Sequence, residues 1–248
     1  MANLTPEEIL RGIIDGSIED LDIPNITSLG ERKLYSSGSL ETLSLENCTD
    51  FEYYSVQSCP NLTTLYVPNA TKLGGSCFAN NPKIANDIHI KAMATVRAGW
   101  GPGAFFEGDS SIKKIVVEGH IEVGGDYAFR GCTSLEILDM GDSSARFVAR
   151  YNGLTNDSNL RTIIIRKANA VKQLIHTQCF SGTPFWSGGV GGTIYIPKVL
   201  YDELGTGSSL DYQSATNWAT IYGYGTITWA QIEGSEYEHY YVDGTPIE

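Results

Sequence analysis

The chain has 248 residues, a formal net charge of −12 and a hydrophobic share of 42%. That share is ordinary for a folded domain and excludes a disordered one. The acid excess offers no basic stripe to neutralise phosphate or anionic lipid, which argues against nucleic acid and membrane surfaces as partners, and no apolar run reaches spanning length.

The first seventeen residues read as a helix. Thr5 caps it, Pro6 tolerates the first turn, and Glu7 and Glu8 suit its positive end. Ile9, Leu10, Ile13 and Ile14 form an apolar stripe that Gly16 terminates. Its expected role is to cover the exposed end of the adjoining domain; a helix lying on a membrane surface is the alternative, disfavoured by its weak basic character. The segment has no basic stretch followed by an apolar one, so synthesis without an export signal is the expectation, with a removed signal left open.

From Ile18 onward one phrase recurs. Its anchors are Ile18, Leu40, Leu62, Ile84, Ile112, Leu135 and Leu160, at steps of 22, 22, 22, 28, 23 and 25 residues. Each opens an L-x-x-L-x-L pattern, such as Leu135, Leu138 and Met140, with one residue inserted between Ile84 and Ile88. Ile194 and Ile196 form a truncated last copy. Alternation places the two apolar residues of L-x-L on one face of a strand, and stacked copies build a parallel sheet over a continuous core. A period in the twenties with this pattern marks a leucine-rich solenoid.

Two further columns run between the strands. Phe78, Phe105 or Phe106, Phe129 and Phe180 are apolar knobs on the return side, with Leu34 and Val56 as smaller copies. Three residues before the anchors stand Ser37, Cys59, Asn81, Asp109, Cys132 and Asp157, small polar or thiol groups able to bond the turning backbone. The five cysteines, Cys48, Cys59, Cys77, Cys132 and Cys179, fall in repeat columns, which predicts buried free thiols rather than a disulfide framework and a reducing compartment during folding.

The fourth unit is enlarged, with Gly99, Gly101 and Gly103 around Trp100 and Pro102; Trp100 either packs on the core or projects toward a partner. A second glycine-rich stretch comes after Trp186. Beyond Pro197, Lys198 to Leu204 reads as a short helix, and Trp218, Ile221, Tyr222, Ile227 and Trp229 as a C-terminal cap ahead of an acidic, tyrosine-rich tail.

The phrase A-F-x-x-C-x-x-L-x-x-L-x-[LM], complete in Ala128 to Met140, resembles the BspA-like leucine-rich repeats of bacterial surface and phage-borne proteins. The run from Cys179 to Trp218 is similar to the way those arrays end. The resemblance implies adhesion or surface recognition. Its departures are the long fourth unit, the absence of Phe knobs in the first two units, and an insertion before Ser214.

No catalytic constellation stands out. His89, His120, His176 and His239 lack the spacing of metal ligands. Gly188 to Gly192 has no following Lys-Ser/Thr, so it is no phosphate loop. Ser110 and Ser143 are in no nucleophile elbow. No cofactor is expected.

The expected fold is an α/β-type repeat solenoid with one parallel β-sheet, an irregular return side and caps at both ends. Its parts are residues 1–17 (helical cap), 18–197 (about eight repeat units) and 198–248 (C-terminal cap and tail). On the strand face turned away from the core, Tyr66, Val116, Ile137, Ile164 and Tyr195 suggest an apolar patch for a partner, with Trp100 and Trp186 as loop contacts. The expected function is a non-catalytic recognition module. Reduced cysteines without a leader favour a phage or prophage tail or baseplate component, binding a protein or a cell-surface glycan. The alternatives are a secreted or surface adhesin, a self-assembling virion protein that forms a homo-oligomer, and an enzyme concealed in the C-terminal segment.

Overall fold

The computed structural model describes residues 18–91, 94–95, 103–118, 127–139, 153–164, 180–185, 191–196, 227–231, 241–242 and 245–246. The N-terminal cap, the Lys198–Leu204 helix, Met140, Ile165 and Cys179 lie outside these residues.

The described chain is a parallel β-solenoid. On its principal face, β1 (Asp20–Asp22), β3 (Thr42–Ser44) and β5 (Thr64–Tyr66) pair in order. Next come β7 (Ile88–Ile90), β9 (Lys114–Val117), β10 (Ile137–Asp139), β11 (Thr162–Ile164), β12 (Gly192–Ile196) and β13 (Ile227–Gln231), again each parallel to the next. The pairing of Leu21 with Leu43, and of Leu43 with Leu65, keeps equivalent repeat residues side by side, so every inward side chain stacks on its own kind.

The principal face is not one sheet, as the repeat pattern suggested, but two. The break lies between β5 and β7, where the inserted residue stands. It displaces the backbone that would have paired with Leu65, and the Asn86 side chain takes its place. Leu65 N–H donates to Asn86 Oδ1 at 3.0 Å, and Asn86 Nδ2 donates to Leu65 O at 2.9 Å. An amide side chain has the same donor and acceptor as a peptide unit, so one residue stands in for a strand. Asn86→Ala leaves both Leu65 groups without their partners at a position 1% exposed, and should cost about 1–3 kcal/mol in denaturant unfolding.

A second ladder lies on another side of each early coil. It comprises β2 (Ser28–Leu29), β4 (Asp50–Phe51), β6 (Lys72–Leu73) and β8 (Ala94–Thr95). Its inward residues Leu29, Phe51 and Leu73 join the core. Gly74 follows this ladder because a Cβ there would come 2.5 Å from the Glu52 carbonyl carbon, a close approach of two coils that only glycine permits.

The return side is regular, not irregular as expected. Arg32, Leu34 and Ser36 N–H donate to Tyr53, Ser55 and Gln57 carbonyls at 3.1, 2.8 and 2.9 Å, and later coils repeat this pattern. Ser36, Ser58, Asn80, Gly108, Gly131, Asn156 and Gly182 all have positive φ, from 56° to 79°. That left-handed conformation explains the small residues and asparagines immediately before the polar column.

The knobs stack coil upon coil. Ring centroids lie 4.8 Å apart for Phe51 and Phe78, 5.3 Å for Phe78 and Phe106, and 6.1 Å for Phe106 and Phe129. Phe51 comes from the second ladder, so it fills space where the knobs of the first two units are only Leu34 and Val56. The polar column is buried and bonds to backbone as expected: Ser37 Oγ donates to Leu34 O at 2.8 Å, and Cys59 and Cys132 thiols donate across to the preceding coils' Leu34 and Phe106 carbonyls, each at 3.0 Å. Cys48, Cys59, Cys77 and Cys132 are free and buried. Burial pushes the Cys48 and Cys59 thiols up to about 11, and Cys77 and Cys132 well above the ordinary thiol range.

In the C-terminal region, β13 extends the principal face by one strand where only a cap was expected, and β14 (Tyr241–Val242) and β15 (Thr245–Pro246) form a short antiparallel pair in the tail.

Candidate interaction surface

Strand alternation places one row of side chains on the outside of the principal face. In register it runs Asp22, Ser44, Tyr66 on the first sheet, then His89, Val116, Asp139, Ile164, Tyr195 on the second. Because each strand is fixed by its neighbours, the row is held at strand spacing without loop ordering.

Exposure changes along it. Asp22 and Tyr66 are exposed, Ser44 and His89 half-buried. Val116 is 7% exposed, Ile164 1% and Asp139 0%. Tyr195 is half-buried, as is Ile137 beside the row. Val116 and Ile164, expected in the patch, are thus buried within the chain, while Tyr66 is exposed. An outward apolar residue on a strand fits equally a docking patch or a second packing layer. Trp100 and Trp186 lie outside the described residues.

What remains open is the end built from β1, β3 and β5. Tyr66, 48% exposed, is its one large apolar group. Around it lie Asp20, Asp22, Thr42, Ser44 and Thr64, with Thr42 Oγ1 donating to Asp20 Oδ1 at 2.5 Å. A tyrosine ring within hydroxyls and carboxylates offers an apolar face together with donors and acceptors, the mixture used for polar, hydroxyl-rich or cationic partners.

A second exposed group was missed in the sequence. Tyr35 is 47% exposed on the return side, and the Arg32 guanidinium carbon lies 5.9 Å from its ring centroid and 5.1 Å from that of Tyr54. Arg32 and Tyr54 stand one repeat apart with φ of 55° and 59°, so the same left-handed turn presents both side chains outward. The signal was their 22-residue spacing in otherwise unassigned columns. A similar contact recurs where Arg130 lies 4.2 Å from the Tyr127 centroid while pairing with Glu107.

Among the described residues no three His, Cys, Asp or Glu side chains are grouped to hold a metal ion, and no helix is long and apolar enough to cross a membrane. His89 takes its place in the outer row of β7.

The comparisons with known proteins agree with the geometry. A family model described as a BspA type leucine-rich repeat region matches in six copies, over residues 14–96 and 101–186. No curated protein matches the chain. Repeats of this type point to a protein-interaction or surface module, and a solenoid of this kind is typically a scaffold for interaction rather than catalysis. The match covers more than half of the sequence, and the chain belongs to the BspA-type leucine-rich repeat family.

Proposed function

We propose that this chain is a non-catalytic recognition module of a phage or prophage particle, associated with its tail or baseplate, that contacts a partner protein or a host-surface glycan through the open end of the principal face. The observation that carries the reading is Tyr66. It is a large exposed side chain on β5, the edge strand of a three-strand ladder whose backbone is already ordered, so binding there loses little conformational entropy. The family supplies the interaction role. The buried thiols, with ionisation suppressed by burial, suit synthesis in a reducing compartment, and particle assembly followed by lysis would bring such a protein outside the cell.

The experiment is a binding assay of the full chain against host cells and immobilised cell-wall glycans. Tyr66→Ala should weaken binding at least about tenfold, the scale for an exposed aromatic anchor, while the midpoint of thermal unfolding stays within a few degrees. Binding unchanged by Tyr66→Ala, but lost in Tyr35→Ala, would move the contact to the return side. Purification of the native protein with particles, rather than with the cell envelope, separates the virion role from the surface-adhesin alternative.

A further inference from the structure

The residue three positions after each return-side knob is buried, and where its side chain is a hydroxyl or an amide it bonds to the knob's own carbonyl, whereas the Cys59 and Cys132 thiols reach 3.0 Å to the preceding coil's knob carbonyl. Ser37 Oγ donates to Leu34 O and Thr183 Oγ1 to Phe180 O, each at 2.8 Å, and Asn81 Nδ2 donates to Phe78 O. Asn81 also faces the preceding coil, accepting the Cys59 N–H on Oδ1 at 2.8 Å. An amide here therefore performs two tasks at once, accepting from one coil and donating within its own.

Asp109 and Asp157 occupy the same column and perform the accepting half. Asp109 Oδ1 accepts the Asn81 N–H at 2.5 Å, and Asp157 Oδ1 accepts the Cys132 N–H at 2.9 Å. Both residues are 0% exposed, and the second oxygen of each, Oδ2, has no hydrogen-bond partner among the described residues. Neither residue forms an ion pair among the described residues. Among the described residues the titratable groups facing them offer no positive charge: Cys59, Cys77 and Cys132 are buried thiols, and Glu107 at the coil edge is paired with Arg130. A charged carboxylate here would be desolvated and uncompensated. A neutral acid has an O–H that can do what the Asn81 Nδ2 does, with Phe106 O and Leu154 O as the equivalent acceptors. The doubled use of one knob carbonyl has a precedent, since Leu34 O accepts both Ser37 Oγ and the Cys59 thiol.

We propose that Asp109 and Asp157 are neutral carboxylic acids in the folded chain, each holding on Oδ2 the proton that completes the donor column, so that the solenoid is strengthened by acid and weakened as pH rises. Burial, the larger influence, holds both carboxyls well above the ordinary value of 3.8, and the accepted backbone N–H groups pull more weakly the other way. In the unfolded chain both ionise near that ordinary value. Between the unfolded and folded values the native state holds protons that the unfolded state has lost. The contribution is therefore complete below the unfolded value and is lost progressively as pH rises toward the folded one. Each acid changes the folding equilibrium constant by up to about tenfold per pH unit within that window.

Relief of repulsion in a chain of net charge −12 also favours the folded state in acid, so the test must be differential. Denaturant unfolding from about pH 4 to about pH 8 is measured for the unaltered chain, Asp109→Asn, Asp157→Asn, the double variant, and Glu118→Gln, which replaces an exposed carboxyl by an amide. The Asn variants should be more stable than the parent at the upper pH and lose up to about tenfold per unit of its slope for each residue replaced, while Glu118→Gln keeps the slope. Retention of the full slope in the double variant, or Asn variants less stable at every pH, overturns the proposal. Infrared spectroscopy of the unaltered native chain at neutral pH requires no variant. A carboxylic-acid C=O band should be present there and vanish on unfolding, and its absence overturns the proposal even where an Asn variant fails to fold.

Discussion

Phe129→Ala is expected to cost roughly 3–5 kcal/mol, the range for truncating a core aromatic. Phe129 is 0% exposed, its ring lies 6.1 Å from that of Phe106 at an interplanar angle of 4°, and its N–H donates to Gly153 O of the following coil. Removing the ring opens a cavity between two coils that are themselves held by the fixed backbone ladders, so collapse into it is limited. Because each coil stabilises only its neighbours, the loss should also reduce cooperativity, with the coils on either side unfolding separately. Equilibrium unfolding followed by two probes checks both points. A loss below about 1 kcal/mol would place Phe129 outside the core.

Ile164→Asp is expected to cost at least about 3 kcal/mol, although the position is on the outward side of its strand. Ile164 is 1% exposed and pairs in register with Asp139, which is 0% exposed. The substitution removes buried apolar area and sets a second carboxylate beside a buried one, and both effects destabilise. Tyr66→Asp on the same face should stay within about 0.5 kcal/mol of the parent, the usual scale for surface changes. Chemical denaturation of the two variants side by side measures the difference, and similar stabilities would contradict the burial of Ile164.

The inward half of this fold was legible because it repeats. Leu135, Leu138 and their equivalents recur every 22 to 28 residues, and a period in that range selects a parallel stack. The polar column was legible for the same reason, from Ser37 through Asp157, and Thr183 extends it to a later coil where the anchor pattern had been truncated. The second ladder was harder to read, since a two-residue strand such as Asp50–Phe51 is too short to show alternation; only the 22-residue recurrence of Leu29, Phe51 and Leu73 marked it. The sheet break was visible as an inserted residue, but its repair by the Asn86 amide depends on where a side chain lands. The covering of Val116 and Ile164 was illegible in principle. What lies over a strand face is decided by distant chain, and an isoleucine pointing outward has the same letter in either case.

The principal face is exposed at Tyr66 and buried at Val116 and Ile164, and the recognition proposed above rests on that difference. The most direct test is thiol labelling of Tyr66→Cys and Ile164→Cys under native conditions, with the labelling of the unaltered chain subtracted. The described native cysteines are buried, with their thiols pushed toward the unreactive protonated form, so they should contribute little. Tyr66→Cys should react like a free thiol, and Ile164→Cys at least about a hundredfold more slowly, its labelling limited by opening of the fold. Equal rates at the two positions would contradict the burial of Ile164 and restore the whole outer row as a candidate contact.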